Sequence, residues 1–198
     1  MANTQATFGF RHIGYIPGAA VDYQLATGTI LSTYATKMFR GDPIVIDPTT
    51  GFINQAADNV STVQGIFDGC MYTPVGGTPQ WSPFWPGASG SPATAYFINA
   101  PGALFMAAAF NTSLVTANIG ENVGFKIGTG NTSNGFSGAT IDQSSLNTTN
   151  TLPFRVVAPV TQSGNFGRIG NGSDPSTPYG YAVVAFNNTN FKQLQGLA

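Results

Sequence analysis

The chain has 198 residues, of which 42% are hydrophobic and 8% are charged, and its formal net charge is −1. This hydrophobic content is enough to bury a sizeable core, so we expect a folded chain rather than a disordered one. With so few charged residues, the chain has neither a basic surface for binding nucleic acid nor a polybasic membrane anchor. A surface with so few charges is poorly protected against association, which indicates a protein that neighbours cover.

No segment has the roughly 18 to 20 consecutive apolar residues that a membrane-spanning helix needs. The first residues have neither the basic leader nor the apolar run of a secretory signal. We therefore expect no membrane partner and no secretion, with synthesis in the cytoplasm of the producing cell.

Residues 1–20 are predicted to form an extended arm, and residues 21–198 a single β-rich domain. Glycine and proline recur too closely in the arm for a helix, and its apolar side chains need a surface to pack on. The arm either docks on a neighbouring molecule or folds onto its own domain as a first strand. Beyond the arm, the alternation of apolar and polar residues predicts a strand at 21–25. Ser32, as a helix N-cap, predicts one or two helical turns at 32–39.

Residues 38–72 are predicted to form a β meander. Asp47-Pro48, followed by Gly51, marks its first turn, because proline presets φ and glycine accepts the positive φ that closes such turns. Alternating apolar and polar residues predict its three strands, at 43–47, 52–55 and 63–72.

The next part of the chain mixes irregular segments with strands. Frequent prolines predict irregular or edge-strand backbone at 74–92. A strand is predicted at 94–99 and a buried strand at 104–110, whereas 119–125 is assigned a single helical turn. Residues 128–150 are almost all Gly, Asn, Ser and Thr, which predicts a long loop with at most one short strand.

The last strands are predicted at 154–160 and 179–186, separated by a glycine-rich loop at 164–178. Eight or more short strands with turn signals between them are typical of an all-β sandwich or barrel. The predicted fold is therefore a single all-β domain of jelly-roll or Greek-key type, with long loops rich in Gly, Asn and Thr.

The titratable residues do not favour catalysis. One His, one Glu and seven Asp are present, and His12 lies in the flexible arm, which argues against a Ser-His-Asp triad. A paired-carboxylate hydrolase, with Asp42 or Asp68 in its active site, is a distant alternative. One His and one Cys exclude a protein zinc cage, and Cys70 fits a core position. No cofactor is expected, and calcium held by Asp and loop carbonyls stays open.

The aromatic residues at positions 72–85 are the group of side chains that says most about a possible binding site. Trp85 is either an anchor that enters a partner's pocket or a core residue, and Trp81 is expected to cap an open end of the fold. With Tyr72, the two tryptophans would also form a stacking platform for sugar rings. The four arginines at positions 11, 40, 155 and 168 are scarce enough to matter as carboxylate-binding forks wherever they meet a partner.

Five short motifs resemble those of the small proteins that decorate or cement the capsids of tailed bacteriophages. They span most of the chain and are FGFR (8–11), GDPIV (41–45), GIFDGCMY (65–72), WSPFWP (81–86) and LPFRVV (152–157).

The resemblance implies a non-enzymatic structural protein on the outside of a phage head, where it clamps neighbouring major capsid protein subunits. It also implies self-association, as a trimer around a local threefold axis or as a dimer. The expected partner contacts are Phe8, Phe10, Arg11, Trp85 and Phe136. The alternative function is a carbohydrate- or receptor-binding module of a phage tail or fibre, built on the aromatic platform.

Overall fold

The structure is a computed structural model that describes residues 8–22, 24–160 and 178–190, and these residues form mostly β-strands. Their strands are β1 (Arg11–Tyr15), β2 (Ala26–Ile30), β3 (Met38–Phe39), β4 (Pro43–Ile46), β5 (Ile53–Gln55), β6 (Gly65–Tyr72), β7 (Gln80–Ser82), β8 (Phe84–Trp85), β9 (Ala93–Ile98), β10 (Ala103–Ala108), β11 (Asn122–Lys126), β12 (Thr140–Asn147), β13 (Phe154–Pro159) and β14 (Tyr181–Phe186). The helical content within these ranges is one 3-10 turn at Thr116–Asn118, and no helix there is long and apolar enough to cross a membrane.

The strands form two large antiparallel sheets and one small one. The first sheet has the order β1-β10-β14-β13-β11-β12, and the second has the order β2-β9-β6-β4-β5 with β7 also paired to β6. The small sheet pairs β3 with β8. The large sheets pack as a sandwich, which confirms the prediction of a single all-β domain.

Two hydrophobic cores arise because the second sheet is buried on both faces. The first core lies between the two large sheets and includes Ile66 with Phe105, Phe125 and Phe154. The second core lies on the opposite face of the second sheet and includes Phe67. Ile66 and Phe67 are consecutive in β6, and successive side chains of a strand point to opposite faces. The strand β6 therefore contributes side chains to both cores.

The predicted buried strand at 104–110 is confirmed as β10, in which all six residues are buried. Phe105 belongs to the first core, whereas Leu104 and Met106 belong to a separate apolar cluster on the other face of the first sheet. The three larger residues are consecutive, and alanines flank them on both sides, so the strand packs on both faces of the sheet.

The described part of the arm folds onto its own domain. β1 pairs with β10, and the ring of Phe10 stacks on Phe154 at 4.6 Å between centroids. The Phe10 N–H donates to the Gly41 carbonyl at 2.9 Å. At Gly9, which has a φ of +72°, a Cβ would lie 2.6 Å from the Ser137 Cβ, so glycine is required for this close approach.

Four local predictions are wrong. The strand expected at 21–25 instead begins at Ala26, and the helix expected at 32–39 consists of turns that lead into β3. The helical turn expected at 119–125 is mostly β11. The segment at 128–150, expected to be a long loop with at most one short strand, contains one strand, β12, which is longer than expected at eight residues. β11 and β12 form by pairing with each other, and β11 also pairs with β13. The loop predicted at 164–178 lies outside the described residues apart from Pro178.

A buried carboxylate joins three separate segments. Asp42 has no exposed surface, and its side chain accepts hydrogen bonds from the Phe39 N–H at 2.7 Å, the Gln55 side-chain amide at 2.8 Å and the Ser137 hydroxyl. Burial raises the pKa of Asp42, while the three hydrogen bonds oppose that rise. The sequence offered Asp42 as a turn residue or, as a distant alternative, a hydrolase carboxylate. It did not predict this network, because one of its partners lies at residue 137.

We predict that Asp42→Asn lowers the free energy of unfolding by about 2–3 kcal/mol. The amide group of asparagine replaces one acceptor oxygen with a donor, so at least one of the three buried donors loses its partner. Urea denaturation followed by tryptophan fluorescence measures the change. Asp47→Asn is the matched control, because Asp47 is only partly buried and its side chain accepts a hydrogen bond within its own turn. Equal, small shifts for both variants would contradict the assignment.

Candidate functional site

The candidate site is a cleft of about 730 Å³ at one edge of the sandwich. It lies where β1 and the residues before it, from the first sheet, approach β6 and the end of β9, from the second. Buried apolar side chains line part of it, among them Phe10, Ile66 and Phe67. The aromatic rings of Phe8 and Phe136 also line it, and the Phe136 ring is exposed.

One ion pair lies in this cleft. The Arg40 Nε donates to the Asp68 Oδ1 at 2.7 Å, and the two side chains are 47% and 20% exposed. The backbone of Arg40 is held next to that of Phe136, because the Arg40 N–H donates to the Gly135 carbonyl and the Ser137 N–H donates to the Arg40 carbonyl. The cleft therefore combines a charged and an aromatic side chain whose backbones are held next to each other.

His12 lines the same cleft from β1. Its ring lies 5.0 Å from Tyr15 and 5.8 Å from Phe105, measured between centroids. The His12 Nε2 atom is buried and has no hydrogen-bond partner among the described residues. Burial lowers the pKa of His12, and a hydrogen bond with the Gly14 backbone and the charge of Asp68 partly oppose this. The imidazole is therefore held mainly in its neutral form.

Four of the five predicted contact residues line this cleft. Phe8, Phe10, Arg11 and Phe136 come from segments more than 120 positions apart in sequence, yet the fold brings them together. Phe10 is only 2% exposed, so it serves the core and presents almost no surface to a partner.

The prediction of Trp85 as a partner contact is wrong, because Trp85 is a core residue. It is 0% exposed, and its indole N–H donates to the Tyr34 carbonyl at 2.8 Å. The pairing of β8 with β3 turns its ring into the second core, edge-on to Tyr72 at 6.0 Å. Trp81, expected as a cap, is instead 51% exposed. Of the two tryptophans, Trp81 is therefore the exposed one and Trp85 the buried one.

The sequence did not bring Arg40, Asp68 and His12 together as one site. Arg40 could have been predicted as a site residue from its position directly before the GDPIV motif. An arginine next to a buried segment needs a partner for its charge, because an unpaired charge is costly there. The closeness of Asp68 and His12 follows only from the packing of β1 against the second sheet.

The arrangement offers little for hydrolysis or metal binding. The cleft lining includes one carboxylate, Asp68, while Asp42 is bound within its own network. No group of three or more His, Cys, Asp or Glu side chains that could hold a metal occurs in the described ranges. Burial raises the pKa of the Cys70 thiol to about 12, so this thiol is unreactive at neutral pH.

A comparison with protein-family models, curated proteins and solved structures finds no match to this chain. The fold and the site define an all-β sandwich protein with a partly apolar, partly charged cleft at its edge. Its function must therefore be argued from the cleft and the surface.

We predict that Trp85→Ala lowers the free energy of unfolding by about 3–5 kcal/mol, whereas Trp81→Ala lowers it by less than about 1 kcal/mol. The same atoms are removed in both variants, but Trp85 is fully buried and hydrogen-bonded to the Tyr34 carbonyl, whereas Trp81 is half exposed. Urea denaturation followed by circular dichroism measures both. If Trp85→Ala does not fold, Trp85→Phe supplies the value, and it should still exceed that of Trp81→Ala. Equal losses would contradict the assignment of Trp85 to the core.

We predict that stability falls on acidification below pH 6.5, the ordinary pKa of His12. The folded pKa of His12 is lowered, so the unfolded chain binds a proton more readily, and stability is lost until the pH reaches the lowered folded pKa. His12 is the only histidine. His12→Gln should therefore flatten a plot of melting temperature between pH 7 and 5. A variant with an unchanged slope would contradict the explanation.

Proposed function

We propose that this chain is a non-enzymatic structural protein of a tailed-phage head, which binds the outer surface of the capsid and stabilises contacts between major capsid protein subunits. The observation that carries the proposal is the edge cleft, which gathers Phe8, Arg11 and Phe136. These are among the partner contacts predicted from the sequence, and they come from distant parts of the chain.

The body of the protein supports the same role. The second sheet is buried on both faces, so the sandwich is stiff enough to transmit force between the subunits that it joins. Its charged fraction of 8% suits a surface that is covered in an assembly. Repetition over a shell lets modest single contacts add up to strong retention, particularly if the protein is a trimer or dimer.

The carbohydrate-binding alternative is less well supported. Its platform needs stacked, accessible faces of Tyr72, Trp81 and Trp85, but Trp85 is fully buried. The exposed Trp81 lies opposite Met71 on the β6–β7 hairpin and forms a single aromatic face. One ring is a weak sugar platform compared with a set of rings.

We predict that the purified chain co-sediments with phage heads assembled without it, and that Phe136→Ser weakens this binding at least about tenfold. Burying an aromatic side chain contributes about 1.5–3 kcal/mol, and each 1.4 kcal/mol corresponds to a factor of ten in affinity. Titration of heads with the chain, followed by quantitation of the pellet, measures the affinity.

Val75→Ser is the matched control, because Val75 is 83% exposed and lies outside the cleft lining. This variant should bind heads as the unchanged chain does. A chain that stays in the supernatant would contradict the proposed function. Equal losses for both variants would contradict the role of the cleft.

A further inference from the structure

The cleft presents more hydrogen-bond donors than it uses. Arg40 binds Asp68 through Nε, and its two Nη groups have no hydrogen-bond partner in the part of the chain that the structure describes. The guanidinium of Arg11 likewise has none there, and its side chain is exposed. Guanidinium groups bind carboxylates and phosphates through paired N–H donors. Two such groups on one cleft lining indicate a site for an anionic oxygen ligand.

The net charge of the cleft lining determines which class of anion it binds best. Arg11 and Arg40 contribute two positive charges and Asp68 one negative charge, which leaves a net charge of +1 with His12 neutral. A carboxylate neutralises that charge. A phosphate group at pH 7 carries nearly two negative charges, and its second charge would meet Asp68 without a cation to balance it. The cleft therefore favours a carboxylate over a phosphate.

The rest of the lining determines what accompanies the carboxylate. Phe8, Leu25, Ile98 and Phe136 give the same cleft an apolar surface, and none of them is fully buried. A small anion such as acetate would leave this surface in water. A ligand that carries an aromatic or branched apolar group next to its carboxylate would cover both parts of the lining.

We propose that the cleft binds a single carboxylate adjacent to an apolar side chain, as presented by a segment of a partner protein, with Arg11 and Arg40 as its ligands. That the segment belongs to the major capsid protein rests on the proposed function. Binding of the carboxylate by the cleft does not, since it follows from the lining alone. Asp68 has two effects, because it holds Arg40 in place and also repels the incoming carboxylate.

The test uses the full chain and N-acetyl-L-phenylalanine, which has a carboxylate next to an aromatic side chain. Isothermal titration or an NMR titration should show saturable binding, at least about tenfold tighter than for N-acetyl-L-phenylalaninamide. The amide has the same shape without the charge. Equal binding of the two compounds, or tighter binding of inorganic phosphate, would overturn the proposal.

Variants separate ligand binding from a purely structural role. Arg11→Gln and Arg40→Gln should each weaken binding of N-acetyl-L-phenylalanine about tenfold. Lys37→Gln is the control, since it removes an exposed positive charge outside the lining and should leave binding unchanged. Unchanged binding by both arginine variants would overturn the assignment.

The two proposals fail in distinguishable ways. If the chain binds N-acetyl-L-phenylalanine as described but does not co-sediment with heads, the proposed function is wrong and the cleft assignment holds. If the chain binds heads but shows no preference for the carboxylate over the amide, the cleft assignment is wrong and the proposed function holds.

Discussion

The buried carboxylate of Asp42 is the constraint on which the arrangement of the cleft depends. It accepts hydrogen bonds from the backbone of β3, from the side chain of Gln55 and from Ser137, and so fixes the loop before β12 against the second sheet. Ser137 directly follows Phe136, and Arg40 lies two residues before Asp42. The same network therefore positions an aromatic ring and a guanidinium at the cleft. A buried charge is costly unless fully paired, so such a network rigidifies what it joins.

The sequence predicted the parts of the fold whose signals are local. The strands near 43–46 and 53–55 follow from alternation and a proline-glycine turn, and the buried strand at 103–108 follows from a continuous apolar run. The position and length of the strand at 140–147 could not be predicted, because the segment around it has the composition of a loop. It forms because β11 supplies a partner, and because Asp142 accepts hydrogen bonds from Asn59 and Ser144.

The candidate site was predictable only in part, for a related reason. Phe8, Arg11 and Phe136 stand out in the sequence as aromatic or cationic residues among small polar ones, and each lines the cleft. Trp85 stands out in the same way, yet a tryptophan fits a core and an interface equally well. Only the pairing of β8 with β3 determines which applies. The meeting of Arg40 with Asp68 depends on the approach of two segments 28 residues apart, which no local pattern encodes.

We propose that the molecule is encoded by a tailed phage and is a structural component held by its neighbours in a shell. The most direct test is quantitative mass spectrometry of intact particles of that phage, with the copy number of this chain measured relative to the major capsid protein. The account predicts a ratio of the same order as the number of capsid subunits, as expected for a protein repeated over the whole surface. A handful of copies per particle, or none, would contradict it.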